Sequence, residues 1–334
     1  MTASLRETLA RVVSGRSSSP PPPANATLFD EALLARLRQL TLLPGRVRTE
    51  GIAGEHRSRR RGTSPEFADF KSYSQGDDFR RIDWNTYARL GGLFVRLSEV
   101  TTELGVHVLL DASGSMDWRS GPNVPTKFDY GRRLAGVLGY LALWHFDRLS
   151  LTPFGAALGT GFGPSQGRSH AVPMLRTLER MAPVGGTALV DAVDRYLHAR
   201  RRPGVLLLIT DLLAGEPDDL RASLRDARAR GWQVALLHLL DEAEVAPSLA
   251  GAYLGDGADR PEAPVELIEA ETGQRLLLSP NDALLARYGQ AVGAWLAEAE
   301  AVCADEGAVY VRLLTSWPVD DVVLRTLREQ GVVG

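Results

Sequence analysis

Residues 106–111 read VHVLLD and run into ASGS (112–115); residues 204–213 read GVLLLITDLL. Each is a short, nearly unbroken apolar run that stops at an acidic residue, Asp111 or Asp211. Strands that show no polar alternation are covered on both faces, as in parallel sheets. Working outward from these two, the pattern predicts further strands at 148–155, 232–241 and 308–316. Helical spacing is predicted at 127–147, 169–182, 187–201, 218–231, 281–307 and 318–331. Gly231 is a helix stop, Asn281 an N-cap candidate, and 265–279 reads as a hairpin around Thr272–Gly273. Strand and helix in alternation define an α/β domain with a doubly wound, mostly parallel sheet. The glycine-rich GFGPSQG (161–167) misses the dinucleotide-binding spacing by one residue and reads as a flexible loop.

In such sheets ligands bind beyond the carboxyl ends of the strands. Asp111, Ser113 and Ser115 follow the first strand, and Asp211 follows the strand at 204–210. Thr187 opens a helix after Gly185–Gly186, 76 residues beyond Asp111 and 24 before Asp211. Taken singly, the acids and hydroxyls are ordinary turn and cap residues. Taken together, they put two carboxylates and three hydroxyls on one edge. An all-oxygen set with few charges suits a hard divalent cation, Mg²⁺ before Ca²⁺ or Zn²⁺. With the hydroxyls bound directly and the carboxylates acting through water, a coordination position stays open for an acidic side chain of a partner. Trp118, in the loop after this motif, is either a partner contact or ordinary loop packing.

The chain has 334 residues and a net charge of −3, with 44% hydrophobic and 24% charged residues. Its mass is 36.3 kDa, its pI about 6.1 and its mean hydropathy −0.10. This is a globular composition without the basic field of a nucleic-acid binder. One cysteine, Cys303, excludes an internal disulfide and a cysteine-built zinc site. The longest apolar run, 134–146, has 13 residues and falls short of a membrane span. Without a recognisable leader at 1–19, the expected location is the cytoplasm.

The expected organisation is a disordered tail with a Pro-rich linker over 1–27, an N-terminal segment over 28–105 packing on the main domain, and the α/β domain over 106–334. Within the middle segment, 28–40 shows helical periodicity through Leu33, Leu34, Leu37 and Leu40, and 46–61 carries six Arg against two Glu. Residues 241–271 oppose that run with nine acids against one Arg. GDDFRRIDW (76–84) packs Asp77, Asp78, Arg80, Arg81 and Asp83 into seven residues. It reads as an internal Asp–Arg network with Trp84 as apolar anchor, or, for Asp77 and Asp78, as a partner contact.

DASGSM (111–116), GGTALVDAV (185–193) and LLLITDLL (206–213) resemble the three loops of a metal ion-dependent adhesion site in von Willebrand factor A-like domains. The stretch 64–100, with Glu66–Phe67, Tyr73, Gly76–Asp77–Asp78, Arg80, Ile82–Asp83–Trp84 and Ala88–Arg89, resembles the signature of the bacterial family called domain of unknown function 58, and ETGQ (271–274) fits it. The resemblance implies a von Willebrand factor A-like, Rossmann-like topology with an N-terminal extension. It implies Mg²⁺, or another divalent ion such as Mn²⁺, at Asp111, Ser113, Ser115, Thr187 and Asp211. It also implies a non-enzymatic adaptor or scaffold that often works with a MoxR-type AAA ATPase.

The alternative is a Mg²⁺-dependent phosphohydrolase of the haloacid-dehalogenase kind, with Asp111 as nucleophile. Such enzymes resemble Asp-x-Asp at this point, whereas this chain has Asp111–Ala112–Ser113. They also use a catalytic lysine, and the two in this chain, Lys71 and Lys127, are poorly placed for that role.

Overall fold

The computed structural model describes residues 36–42, 67–74, 82–98, 104–121, 123–200, 202–213, 217–246, 265–268, 275–278 and 281–334. In chain order its elements are β1 (Phe67–Ser72), α1 (Trp84–Leu90), β2 (Phe94–Ser98), β3 (Gly105–Asp111), α2 (Lys127–Trp144), β4 (Arg148–Phe154), β5 (Phe162–Gln166), α3 (Ala171–Glu179), α4 (Leu189–Ala199), β6 (Val205–Thr210), α5 (Pro217–Ala229), β7 (Gln233–Leu240), α6 (Glu242–Val245), β8 (Val265–Ile268), β9 (Arg275–Leu278), α7 (Asp282–Asp305), β10 (Val309–Leu314) and a closing helical stretch α8 over 319–329.

The chain divides into two compact units, Arg48–Glu103 and a larger one of Met1–Val47 with Leu104–Gly334. In the smaller, β1 and β2 pair antiparallel. Asp83 is buried and its carboxylate accepts the Thr86 amide at 3.1 Å, which caps α1. Trp84 does not anchor a core: it is 63% exposed and meets Tyr87 edge-on. The reason is the helix start at Trp84, which turns its side chain outward beside that of Tyr87, one turn on. Asp77, Asp78, Arg80 and Arg81 lie outside the described residues.

The larger unit is an α/β fold with a six-stranded sheet in the order β10-β7-β6-β3-β4-β5. The five strands β10 to β4 are mutually parallel, and β5 is antiparallel to β4. Helices flank both faces. Val106, Val108 and Leu110 of β3 join α2, α3 and α8 in one core, whereas Leu109 joins α4, α5 and α7 in the other. This two-sided burial is why β3, β6 and β7 read as unbroken apolar runs. Leu37, Leu40 and Leu42 belong to the first core, and Leu42 bridges to Val333. The described part of 28–47 therefore goes with the α/β unit and not with 67–98. Leu33 and Leu34 lie outside the described residues.

β5 corrects the loop reading of 161–167. Phe162, Ser165 and Gln166 pair with Leu151, Leu149 and Arg148. Gly163 has φ +88, and a Cβ there would run into the Leu149 carbonyl oxygen. The glycine-rich composition thus serves a tightly apposed edge strand. The remaining elements match their expected spans closely. Asn281 caps α7 by accepting the Leu284 amide at 2.8 Å, and β8 and β9 pair antiparallel, while the expected turn at Thr272–Gly273 lies outside the described residues. Among the described residues no helix is long and apolar enough to cross a membrane.

Candidate metal centre at the switch point

From β3 the chain moves to β4 on one side, and from β6 to β7 on the other. The carboxyl ends of β3 and β6 therefore flank the point where the winding reverses, which is where open α/β sheets leave a crevice. Asp111 ends β3 and Asp211 follows β6. The loop before α4 is stitched to the β3 loop by two short backbone bonds. Gly114 N–H donates to the Gly185 carbonyl at 2.7 Å, and Val184 N–H to the Ala112 carbonyl at 2.8 Å. Gly185 takes φ +74 to make this turn, a conformation that glycine adopts without a steric cost.

The five expected residues converge. Thr187 Oγ1 donates to Asp111 Oδ1 at 3.1 Å, and Ser113 N–H donates to the same oxygen at 2.9 Å. Ser113 Oγ and Ser115 Oγ are 3.0 Å apart. The Ser113 hydroxyl lies near enough to the Asp111 carboxylate, and the Ser115 hydroxyl to that of Asp211, to favour their charged forms. Asp111, Ser113, Ser115 and Asp211 are buried, and Thr187 is half-buried. Burial first, then the charge of Asp211, push the Asp111 carboxyl up to about 6, against hydrogen bonds from Thr210 and Ser113 that lower it. For Asp211, burial raises the carboxyl, but the Lys127 ammonium, with help from Ser115 and the Leu213 amide, outweighs it and holds the group below its ordinary value.

Three participants were not visible as such in the sequence. Thr210 Oγ1 donates to Asp111 Oδ2 at 2.7 Å and accepts the Leu212 amide at 3.2 Å. It therefore locks Asp111 to the β6 loop, where Leu212 has φ +54. Lys127 opens α2 at 0% exposure, with Nζ 2.8 Å from Asp211 Oδ2 and 2.6 Å from Glu244 Oε1. Glu244 belongs to a capping box on α6. Its other oxygen accepts the Asp241 amide at 2.8 Å, and Asp241 accepts the Ala243 amide at 3.0 Å. Burial would lower the Lys127 ammonium, but the two carboxylates hold it above its ordinary range. Lys127, read from the sequence as poorly placed, thus stands in the site. The cause is that α2 starts directly beneath the carboxyl ends of β6 and β7. The early signal was one of only two lysines, set at a helix start, in a chain whose other cations are arginines.

Trp118 is 7% exposed and its carbonyl accepts the Lys127 amide at 3.1 Å. It packs inside the loop and offers little surface to a partner. The exposed apolar side chain on this rim is instead Val184, at 75%.

Do these residues fit a hard cation? Octahedral ligands at about 2.1 Å stand about 3.0 Å apart, which is the Ser113–Ser115 spacing. In the structure the two hydroxyls hydrogen-bond each other. A shared cation would replace that bond with two ligand bonds at the same spacing. Among the described residues no group of three or more His, Cys, Asp or Glu is arranged to hold a metal. The candidate donors at this rim, Ser113, Ser115 and Thr187, are hydroxyls, a set that fits Mg²⁺ or Mn²⁺ better than zinc.

The family model described as "Protein of unknown function DUF58" matches residues 69–292. This chain belongs to that family. It is similar to the uncharacterized protein Rv1480 of Mycobacterium tuberculosis and to the uncharacterized protein Mb1516 of Mycobacterium bovis. Each is 29% identical over 319 residues, covering 94% of this chain and 95% of the relative. Among solved structures it is similar to the conserved hypothetical protein BatB of Bacteroides thetaiotaomicron (16% identity, 68% of this chain and 98% of that one, TM-score 0.40). It is also similar to the manganese-loaded TRAP protein of Plasmodium vivax (18% identity, 41% of this chain and 57% of that one, TM-score 0.31).

Proposed function

We propose that the α/β unit is a von Willebrand factor A-like binding module and not a catalyst. Ser113, Ser115 and Thr187 would hold Mg²⁺ or Mn²⁺ directly, with Asp111 and Asp211 behind them. A bound ion supplies a Lewis-acidic position for an Asp or Glu carboxylate of a protein partner. The chain's own residues prepare that position. Asp111 draws in the Thr187 hydroxyl proton, and Asp111 and Asp211 stand behind the Ser113–Ser115 pair, so an ion that displaced the hydroxyl-to-hydroxyl bond would meet oxygen lone pairs at the rim. The observation that carries this reading is that hydroxyl-to-carboxylate convergence at the switch point. Val184, exposed next to the Gly185 turn, would give the partner an apolar contact beside the ionic one. A MoxR-type AAA ATPase is the partner class that the family resemblance suggests.

The phosphohydrolase reading gains a lysine near the site, but two features favour the binding reading over it. The oxygens of Asp111 are already held by Ser113, Thr187 and Thr210, which disfavours nucleophilic attack. Lys127 is spent on Asp211 and Glu244.

Affinity capture from the source cells, with Mg²⁺ or with chelator, tests the proposal. A partner retained only with Mg²⁺, and lost with Asp111→Ala, is expected. Retention that ignores both changes overturns it, and so does phosphate-ester turnover abolished by Asp111→Asn.

A further inference from the structure

Lys127 is an unusual occupant for this place. Lysines are almost never fully buried unless paired, and this one has two partners from separate elements. Asp211 comes from the β6 loop. Glu244 comes from α6, where the capping box aims its second oxygen at the Asp241 amide and leaves the first for the ammonium. Asp241 is itself fixed by the Ser120 amide at 3.1 Å and the Ser120 hydroxyl at 2.9 Å, and the Tyr288 hydroxyl donates to the Glu244 carbonyl at 2.7 Å. The seat therefore ties together the loops after β3, β6 and β7 with the start of α7. Nothing in the metal-site motif demands it, because the hydrogen bonds of Lys127 Nζ go to Asp211 and Glu244 and to none of the three hydroxyls.

The consequence is electrostatic. One oxygen of Asp211 is taken by the ammonium, and the other accepts the Leu213 amide at 3.2 Å. A divalent cation held by the Ser115 hydroxyl would sit across Asp211 from a permanent positive charge, and in a buried setting such charges interact strongly. The ammonium keeps Asp211 in place to take up the Ser115 proton. It also withholds part of the negative charge that would otherwise bind the ion tightly.

Resting on the reading above, we propose that Lys127 is a resident cation that positions Asp211 and weakens divalent-ion affinity at the rim, so that metal occupancy is readily reversible.

The test is titration of the purified full chain with Mn²⁺ alone, followed by calorimetry and by the shift in melting temperature. Lys127→Met/Glu244→Gln removes one charge of each sign and leaves Asp211 in place. It should bind Mn²⁺ at least about tenfold tighter than the unmodified chain, on the scale of effects from groups behind metal ligands, and show a larger Mn²⁺-induced melting shift. Lys127→Arg keeps the charge but is bulkier and differently shaped at this buried seat; the folded variant should stay within about threefold of the unmodified chain.

A folded double variant with unchanged or weaker affinity overturns the inference. An equal gain in Lys127→Arg does so too, because it assigns the effect to packing. A double variant that folds only with Mn²⁺ supports it. If the double variant folds under neither condition, Glu244→Gln decides. That change leaves the ammonium wholly to Asp211 and should weaken Mn²⁺ binding severalfold; unchanged binding overturns the inference. Ser113→Ala/Ser115→Ala separates the two readings. If it leaves Mn²⁺ binding intact, the hydroxyl site itself is wrong. If it abolishes binding while the double variant stays at the unmodified level, only the role of Lys127 falls.

Discussion

The two halves of the second core hold near copies of one arrangement at different heights in the sheet. On β3, near its start, His107 Nδ1 pairs with the Tyr196 hydroxyl at 2.8 Å, with Trp232 edge-on at 4.8 Å. On β7, towards its carboxyl end, His238 Nδ1 pairs with the Tyr310 hydroxyl at 2.8 Å, with Trp295 edge-on at 4.9 Å. Both rings are held neutral, lowered to about 4 chiefly by burial. The difference lies at the other nitrogen. His238 Nε2 meets the Asp211 carbonyl at 3.0 Å, so this copy is wired to the rim, whereas the His107 copy only fills the core. The same side chains act as packing at one level and as support for a site at the other, and only the neighbour decides which.

Four experiments would sharpen or break that contrast. The largest effect is expected from Lys127→Met alone, which leaves Asp211 and Glu244 buried without a counter-charge. A loss of about 3–5 kcal/mol in urea unfolding follows from breaking a buried pair on one side. A loss under about 1 kcal/mol would mean that water already reaches the pair.

Acid comes next. The unfolded histidine takes up a proton from about pH 6.5 downward, while folded His107 resists until about 4. The unfolded state therefore binds more protons across this window, and stability falls as pH drops through it, by up to about 3 kcal/mol for this residue. In His107→Phe the pH slope between 6.5 and 4 should flatten, as read from urea midpoints at several pH values. An unchanged slope would break the assignment.

Thr210→Val removes the hydroxyl that serves both Asp111 and the Leu212 amide, and should cost about 1–3 kcal/mol. The corresponding change on the core-filling level, Tyr196→Phe, should cost about 1 kcal/mol. If the two are equal, the rim is no more demanding than the core. The smallest effect is expected at the α2 start, where Thr126 accepts the Asp129 amide at 3.0 Å. Thr126→Ala should lose about 1 kcal/mol in thermal unfolding.

The sequence carries much of this architecture on its surface. Unbroken apolar strands such as 204–210 announce burial on both faces. The acids that terminate β3 and β6 announce the edge, and the Gly185–Gly186–Thr187 turn falls beside them as its spacing suggested. What stayed hidden depends on partners far apart in the chain. Lys127 looks like any first residue of a helix until Asp211 and Glu244, 84 and 117 residues away, close on it. Thr210 looks like the last residue of a strand until Asp111 turns toward it. Trp118 took the loop-packing alternative and Trp84 turned outward, against its reading as an anchor, for a simpler reason. Residue type says how much area a ring can bury, but the direction of the loop or helix that carries it decides whether it does.

β5 has a consequence for the company this protein keeps. It closes one margin of the sheet, and Pro164 in its middle has no N–H to offer. A passing extended chain therefore meets an interrupted row of donors there, which discourages edge-to-edge aggregation. A stretch that looks like slack in the sequence works as a selvage, keeping crowded copies from unravelling into one another's sheets.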